Sequence, residues 1–104
     1  MIEKIKKMLG IGPKANLGEV IARGAVIVDV RTTGEYAGGH INGSVNIPLA
    51  ALAGQMARLK KDKPVITCCA SGMRSSSAKS MLQANGFTEV YNAGSWYNLK
   101  KFER

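Results

Sequence analysis

The 104-residue sequence predicts an α/β fold in which one parallel sheet is covered by helices on both faces. Three observations carry this reading. Ala25-Val26-Ile27-Val28-Asp29-Val30 and Pro64-Val65-Ile66-Thr67-Cys68 are continuous, β-branched runs of the kind found in strands buried on both faces. Segments with helical spacing alternate with these runs, as the crossovers between parallel strands require. No repeat or low-complexity linker interrupts the alternation, and the length suits one core, so a single domain is expected.

Taken in order, Ile2, Ile5, Met8 and Leu9 recur at helical spacing before Gly10, Gly12 and Pro13. Residues 1–12 are therefore read as a short basic N-terminal helix or extension, and 13–104 as the domain. A lid lying on the domain is expected for that helix in preference to a basic membrane-surface or partner helix, because so short a segment binds lipid weakly. Asn16 followed by Glu19 has the logic of an N-cap with its capping-box partner, opening a helix that ends at Gly24. Beyond the first strand come a short helical stretch near Glu35-Tyr36, a short strand at Ser44-Val45-Asn46-Ile47 ended by Pro48, and a helix from about Leu49 to Leu59. Ala50, Leu52, Met56 and Leu59 supply its core face. After the second buried run a helix is expected from about Arg74 to Ala84, closed by Asn85-Gly86. A further strand at Glu89-Val90-Tyr91-Asn92 precedes a terminal helical segment.

Composition removes several function classes. No stretch approaches the roughly 20 apolar residues of a membrane span, so no stable membrane insertion is expected. The N-terminal run is broken by Lys4, Lys6 and Lys7 and lacks a convincing cleavage site, which favours the cytoplasm; a leader trimmed from an exported form would leave the same sequence. Cys68 and Cys69 are adjacent, and a disulfide between neighbours would be strained. With one histidine they also fall short of a tetrahedral zinc site, so no metal or other cofactor is expected. The formal charge of +8 could draw in an anionic ligand. Its clusters at Lys4-Lys7, Arg58-Lys63 and Lys100-Arg104 carry no interleaved aromatic residues, which argues against nucleic acid.

The segment Cys68-Cys69-Ala70-Ser71-Gly72-Met73-Arg74-Ser75 lies between a buried strand and a helix, where α/β proteins place ligand sites. The first amides of that helix have no internal partners, so they converge on the loop and favour negative charge. A thiol at Cys69 is expected to ionise readily there, helped by the helix dipole, the loop amides and the Arg74 guanidinium. Gly72 lets the loop curl, while Ser71, Ser75 and Ser76 can bond to loop or helix-start groups. Cys68 should point the other way into a core and be structural.

These residues resemble the rhodanese family in three ordered blocks covering nearly all of the chain beyond the N-terminal helix. Asp29-Val30-Arg31, Glu35-Tyr36 and Gly39-His40-Ile41-Asn42-Gly43-Ser44, continuing into Asn46-Ile47-Pro48, form the first. The loop from Cys69 to Arg74 with Ser75 is the second, and Asn85-Gly86-Phe87, Val90-Tyr91-Asn92, Gly94-Ser95 and Trp96 form the third. Ser44, Ala93 and Ser95 depart from the pattern, Ser95 replacing the second glycine of a pair. The resemblance implies a five-stranded parallel sheet flanked by helices, and a thiosulfate sulfurtransferase activity. It implies that Cys69 takes sulfane sulfur from a small anionic donor such as thiosulfate and passes it as a persulfide to a thiol, protein or cyanide acceptor. Ala70, Ser71, Gly72, Met73 and Arg74 would bind the donor and persulfide, Arg74 also helping to set the loop and Ser71 and Met73 shaping the entrance. Asp29, Arg31 and Ser75 would support the site, the first two as a structural ion pair. His40 is expected to be a structural hydrogen-bonder, and the protein a monomer.

Two other readings share these features. A phosphatase of the cell-cycle dual-specificity type also uses a Cys-to-Arg loop, but a longer stretch separates the two residues there. Here only Ala70, Ser71, Gly72 and Met73 intervene, and no acidic residue stands in or beside the loop to protonate a leaving oxygen. A relay or partner-binding module without free thiosulfate turnover is the alternative from another class, and a relay would keep the same thiol.

Overall fold

The computed structural model describes residues 16–103. The helix expected over residues 2–9 lies outside the described residues. Helix α1 (Leu17–Ala22) starts where the Asn16 side chain accepts the Glu19 amide at 3.1 Å, and the chain turns out of it through Gly24. Strand β1 (Val26–Asp29) follows, then α2 (Thr33–Ala37), β2 (Val45–Asn46) and α3 (Leu49–Gln55), which tightens into a 3-10 turn over Met56–Arg58. Strand β3 (Val65–Cys69), helix α4 (Met73–Ala84), strand β4 (Val90–Ser95) and a 3-10 segment (Trp96–Phe102) complete the order.

The sheet is parallel throughout, in the order β2-β1-β3-β4. Four strands are present among the described residues, where the family resemblance implied five. They coincide with the four strand-like runs of the sequence, and no further such run occurs between residues 16 and 103.

Alternation along the strands divides the core. On one face Val28, Val65, Cys69 and Val90 pack with Leu52 of α3 and Ala78 and Leu82 of α4. On the other, Ile27, Ile66, Cys68 and Ala93 pack with Val20 of α1 and Leu99 of the terminal segment. Helical elements thus cover both faces, as the apolar character of the strands required. Cys68 and Cys69, adjacent on the inner strand β3, open onto opposite layers.

Candidate active site at the Cys69 loop

Strand β3 runs one residue further than expected, so Cys69 is its last member and pairs with Ser95 of β4. Between the Thr67–Asn92 and Cys69–Ser95 pairs, β3 advances two residues while β4 advances three. The extra residue makes a bulge that bends the end of β4 toward the loop. Gly94 takes a φ of +78° there, and a side chain at Gly72 (φ +105°) would lie 3.2 Å from the Gly94 α-carbon. The loop after β3 therefore nests against the bulge only because both positions are glycine. Ser95, which replaces a family glycine, has an ordinary extended φ of −64° and accepts the Tyr97 amide, so this departure costs the backbone nothing.

Within that turn the chain wraps around the Cys69 sulfur. The Gly72 amide donates to Sγ at 2.9 Å and the Ser75 amide at 3.4 Å, while Ser75 Oγ lies 3.3 Å away. Gly72 is also the N-cap of α4, so the helix start supplies the converging amides. Cys69 is fully covered, and burial pushes its thiol up. The Ser75 hydroxyl and amide, with the Gly72 and Ser71 amides, outweigh that effect and hold it below the ordinary thiol value. The arrangement can stabilise a sulfur anion. Among the described residues, no cluster of His, Cys, Asp and Glu could hold a metal ion, and no helix is long and apolar enough to cross a membrane.

One loop side chain departs from the sequence reading. The Arg74 guanidinium was expected to face the sulfur and donor. Instead it makes a two-pronged pair with Glu35 of α2, at 2.7 and 3.1 Å. The cause is a prearranged carboxylate, since Glu35 also accepts the Thr32 amide and hydroxyl in the capping box that starts α2. Its pKa is lowered to about 2, first by Arg74 and then by the Thr32 amide. Arg74 thus ties the loop to α2 and acts on Cys69 only through space. Met73 projects outward with 79% of its surface exposed. With Ser71, Gly72, Ser76, Asn92, Ala93 and Gly94 it borders a shallow open groove of about 530 Å³.

Asp29 and Arg31 are buried next to Cys68 rather than Cys69, Asp29 being the register partner of Cys68. Arg31 donates to both Asp29 oxygens and to the Gly39 and Glu35 carbonyls, and its guanidinium lies 4.7 Å from the Trp96 ring centre. The pair closes the end of β1 onto the chain around α2. His40 stacks on Tyr36 and its Nδ1 donates to the Tyr36 carbonyl at 2.7 Å, a local structural contact.

Asn92, read in the sequence only as a strand end within the third block, joins three parts of the site. Its Oδ1 accepts from Ser75 Oγ at 2.6 Å and the Gly94 amide at 2.8 Å, and its Nδ2 donates to the Gly72 carbonyl at 3.3 Å. The available signal was an asparagine inside a strand, where that residue is disfavoured without a specific partner.

The strand-to-helix turn and its amide-wrapped thiol define an α/β protein whose β3–α4 loop can stabilise a sulfur anion. A family profile described as Rhodanese-like domain matches residues 14–101. The chain belongs to the rhodanese-like domain family. It is 44% identical over 70 residues to the uncharacterized protein YqhL of Bacillus subtilis, a match spanning 67% of this chain and 56% of that protein. It is 40% identical over 76 residues to the thiosulfate sulfurtransferase GlpE of Stutzerimonas stutzeri, covering 73% and 70% of the two chains. Among solved structures it resembles a rhodanese with anions from E. coli (TM-score 0.67, 33% identity, 71% of this chain and 89% of that one). It also resembles the human single-domain sulfurtransferase TSTD1 (TM-score 0.69, 28% identity, 85% and 92%).

Proposed function

We propose that the protein is a sulfurtransferase that moves sulfane sulfur from thiosulfate or a similar donor to a thiophilic acceptor through a persulfide on Cys69. The observation that carries this reading is the Cys69 sulfur held by the Gly72 and Ser75 amides at the start of α4. The Cys69 thiolate attacks the outer sulfur of thiosulfate, a sulfur–sulfur bond forms, and sulfite leaves with the electron pair of the bond that breaks. The acceptor, a thiolate or cyanide, then attacks the terminal sulfur and Cys69 departs as thiolate, so the two half-reactions balance without a cofactor. The amides from Ala70 to Arg74 cradle the persulfide, Ser75 supports its anion, and Asp29 with Arg31 holds the neighbouring strand end rigid.

A second reading, a relay that takes sulfur from a protein donor with little free thiosulfate turnover, draws support from one contact. Arg74 is occupied by Glu35, so it offers a dianionic donor less charge than a free guanidinium would. Thiocyanate formation from thiosulfate and cyanide tests the pair of readings. Turnover that saturates with thiosulfate supports the enzyme; a Cys69 persulfide accepted only from a protein or thiol persulfide supports the relay; hydrolysis of a phosphoester instead contradicts both.

A further inference from the structure

The neighbours of Asn92 fix the orientation of its side-chain amide. The Gly94 N–H, which can only donate, lies 2.8 Å from one terminal atom, and the Gly72 carbonyl, which can only accept, lies 3.3 Å from the other. The first atom must be oxygen and the second nitrogen. Ser75 Oγ stands 2.6 Å from that oxygen, which carries no proton, so the hydroxyl is the donor. A serine hydroxyl has only one proton to give. Toward Cys69 Sγ, 3.3 Å away, the same oxygen is left as an acceptor and receives the S–H of the protonated thiol.

Ionisation changes this arrangement. Once the thiol proton has gone to solvent, a lone pair of Ser75 faces a thiolate. The contact turns favourable when the hydroxyl rotates and donates to sulfur, and that rotation breaks its bond to Asn92. We propose that Ser75 and Asn92 form a proton-allocating pair, in which Asn92 is a positioning residue that competes with the Cys69 sulfur for one hydroxyl proton and so sets how readily Cys69 ionises. The inference rests on Cys69 being the reactive thiol. Asn92 plays two opposed parts: it steadies the amide cradle through the Gly72 carbonyl, and it withholds the one side-chain donor that stands within reach of Cys69 Sγ among the described residues. Because it borders the open groove beside the loop, a molecule entering there meets Asn92 before it meets the sulfur.

The test is the pH titration of the Cys69 thiolate, followed by its ultraviolet absorbance on the full chain with Cys69→Ser as the blank. Asn92→Ala is expected to lower the midpoint by about half to one pH unit, the worth of a single hydrogen bond. Ser75→Ala is expected to raise it, and adding Asn92→Ala to Ser75→Ala not to lower it, since the contested proton is gone and only the contact with the Gly72 carbonyl is left to lose. Asn92→Leu, which keeps bulk but has no acceptor, should repeat the behaviour of Asn92→Ala and guards against a variant that misfolds. A residue that only braced the loop would do the reverse, raising the midpoint in both backgrounds as the cradle loosens, and that result overturns the proposal. The titration needs no sulfur donor. Shifts of the expected sign in a protein that transfers no sulfur would uphold the pair and remove the sulfurtransferase reading, whereas transfer with an unmoved midpoint would remove the pair alone.

Discussion

Cys68 and Cys69 are covalent neighbours, and neither has any exposed surface. On its side of the sheet Cys68 lies among Ile27, Ile66, Ala93 and Leu99, and burial, aided by the Asp29 carboxylate, pushes its thiol up to about 12. One residue on, Cys69 is equally covered but meets main-chain amides and a hydroxyl, and its thiol falls below the ordinary value. Burial opposes ionisation at both positions. What separates them is the supply of donors, which a strand passing into a helix through a glycine turn presents on one face only. A nucleophile and an inert core residue can thus be made from the same side chain by a single step along a strand.

The sharpest break of this contrast is to exchange the two cysteines for serine in turn. Cys69→Ser is expected to reduce thiocyanate formation to background, whereas Cys68→Ser should keep it within about threefold and instead lower stability by about 1–2 kcal/mol in denaturant titration, since a hydroxyl costs more than a thiol to bury in that layer. Arg31→Met attacks the Cys68 side through its scaffold. It strands the buried Asp29 carboxylate and should cost about 3–5 kcal/mol in thermal or urea unfolding, with sulfur loading of Cys69 preserved in the folded fraction. Gly72→Ala attacks the other side. A side chain at φ +105°, pressed 3.2 Å from Gly94, should cost about 1–3 kcal/mol and slow sulfur loading about ten- to a hundredfold by displacing the amide closest to Sγ.

The smallest effect concerns the tie between the loop and α2. The Glu35 carboxyl is held down in the folded protein, so its contribution to stability is in force above its ordinary pKa of 4.5 and is lost as pH falls through about 2. A carboxyl-resolved NMR titration should find that low midpoint, and Arg74→Met should return it toward the ordinary value. An unchanged midpoint would show that the capping box alone holds Glu35 down.

The sheet was legible because its strands are buried on both faces, which leaves unbroken runs such as Val26-Ile27-Val28 in the sequence. Element ends shifted by a few residues where hydrogen bonding rather than apolar pattern decides them. Cys69 joined β3, β4 reached Ser95 across a bulge, and the helix expected to Leu59 ended at Gln55 in favour of a 3-10 turn. The position of Cys69 at the mouth of a helix was readable from local order alone. The partner of Arg74 was not, because Glu35 lies 39 residues away and only the folded chain brings them together. The role of Asn92 escaped for the same reason, since Ser75 and Gly72 lie 17 and 20 residues before it and Gly94 reaches it across a bulge that a single strand's sequence does not announce.

Sulfur loading, resolved residue by residue, bears most directly on the whole account. Intact protein incubated with thiosulfate and mapped by peptide mass spectrometry should carry one extra sulfur atom on the peptide fragment at Cys69, removable by cyanide, retained in Cys68→Ser and lost in Cys69→Ser. Sulfur found on Cys68, or loading that survives Cys69→Ser, would contradict it.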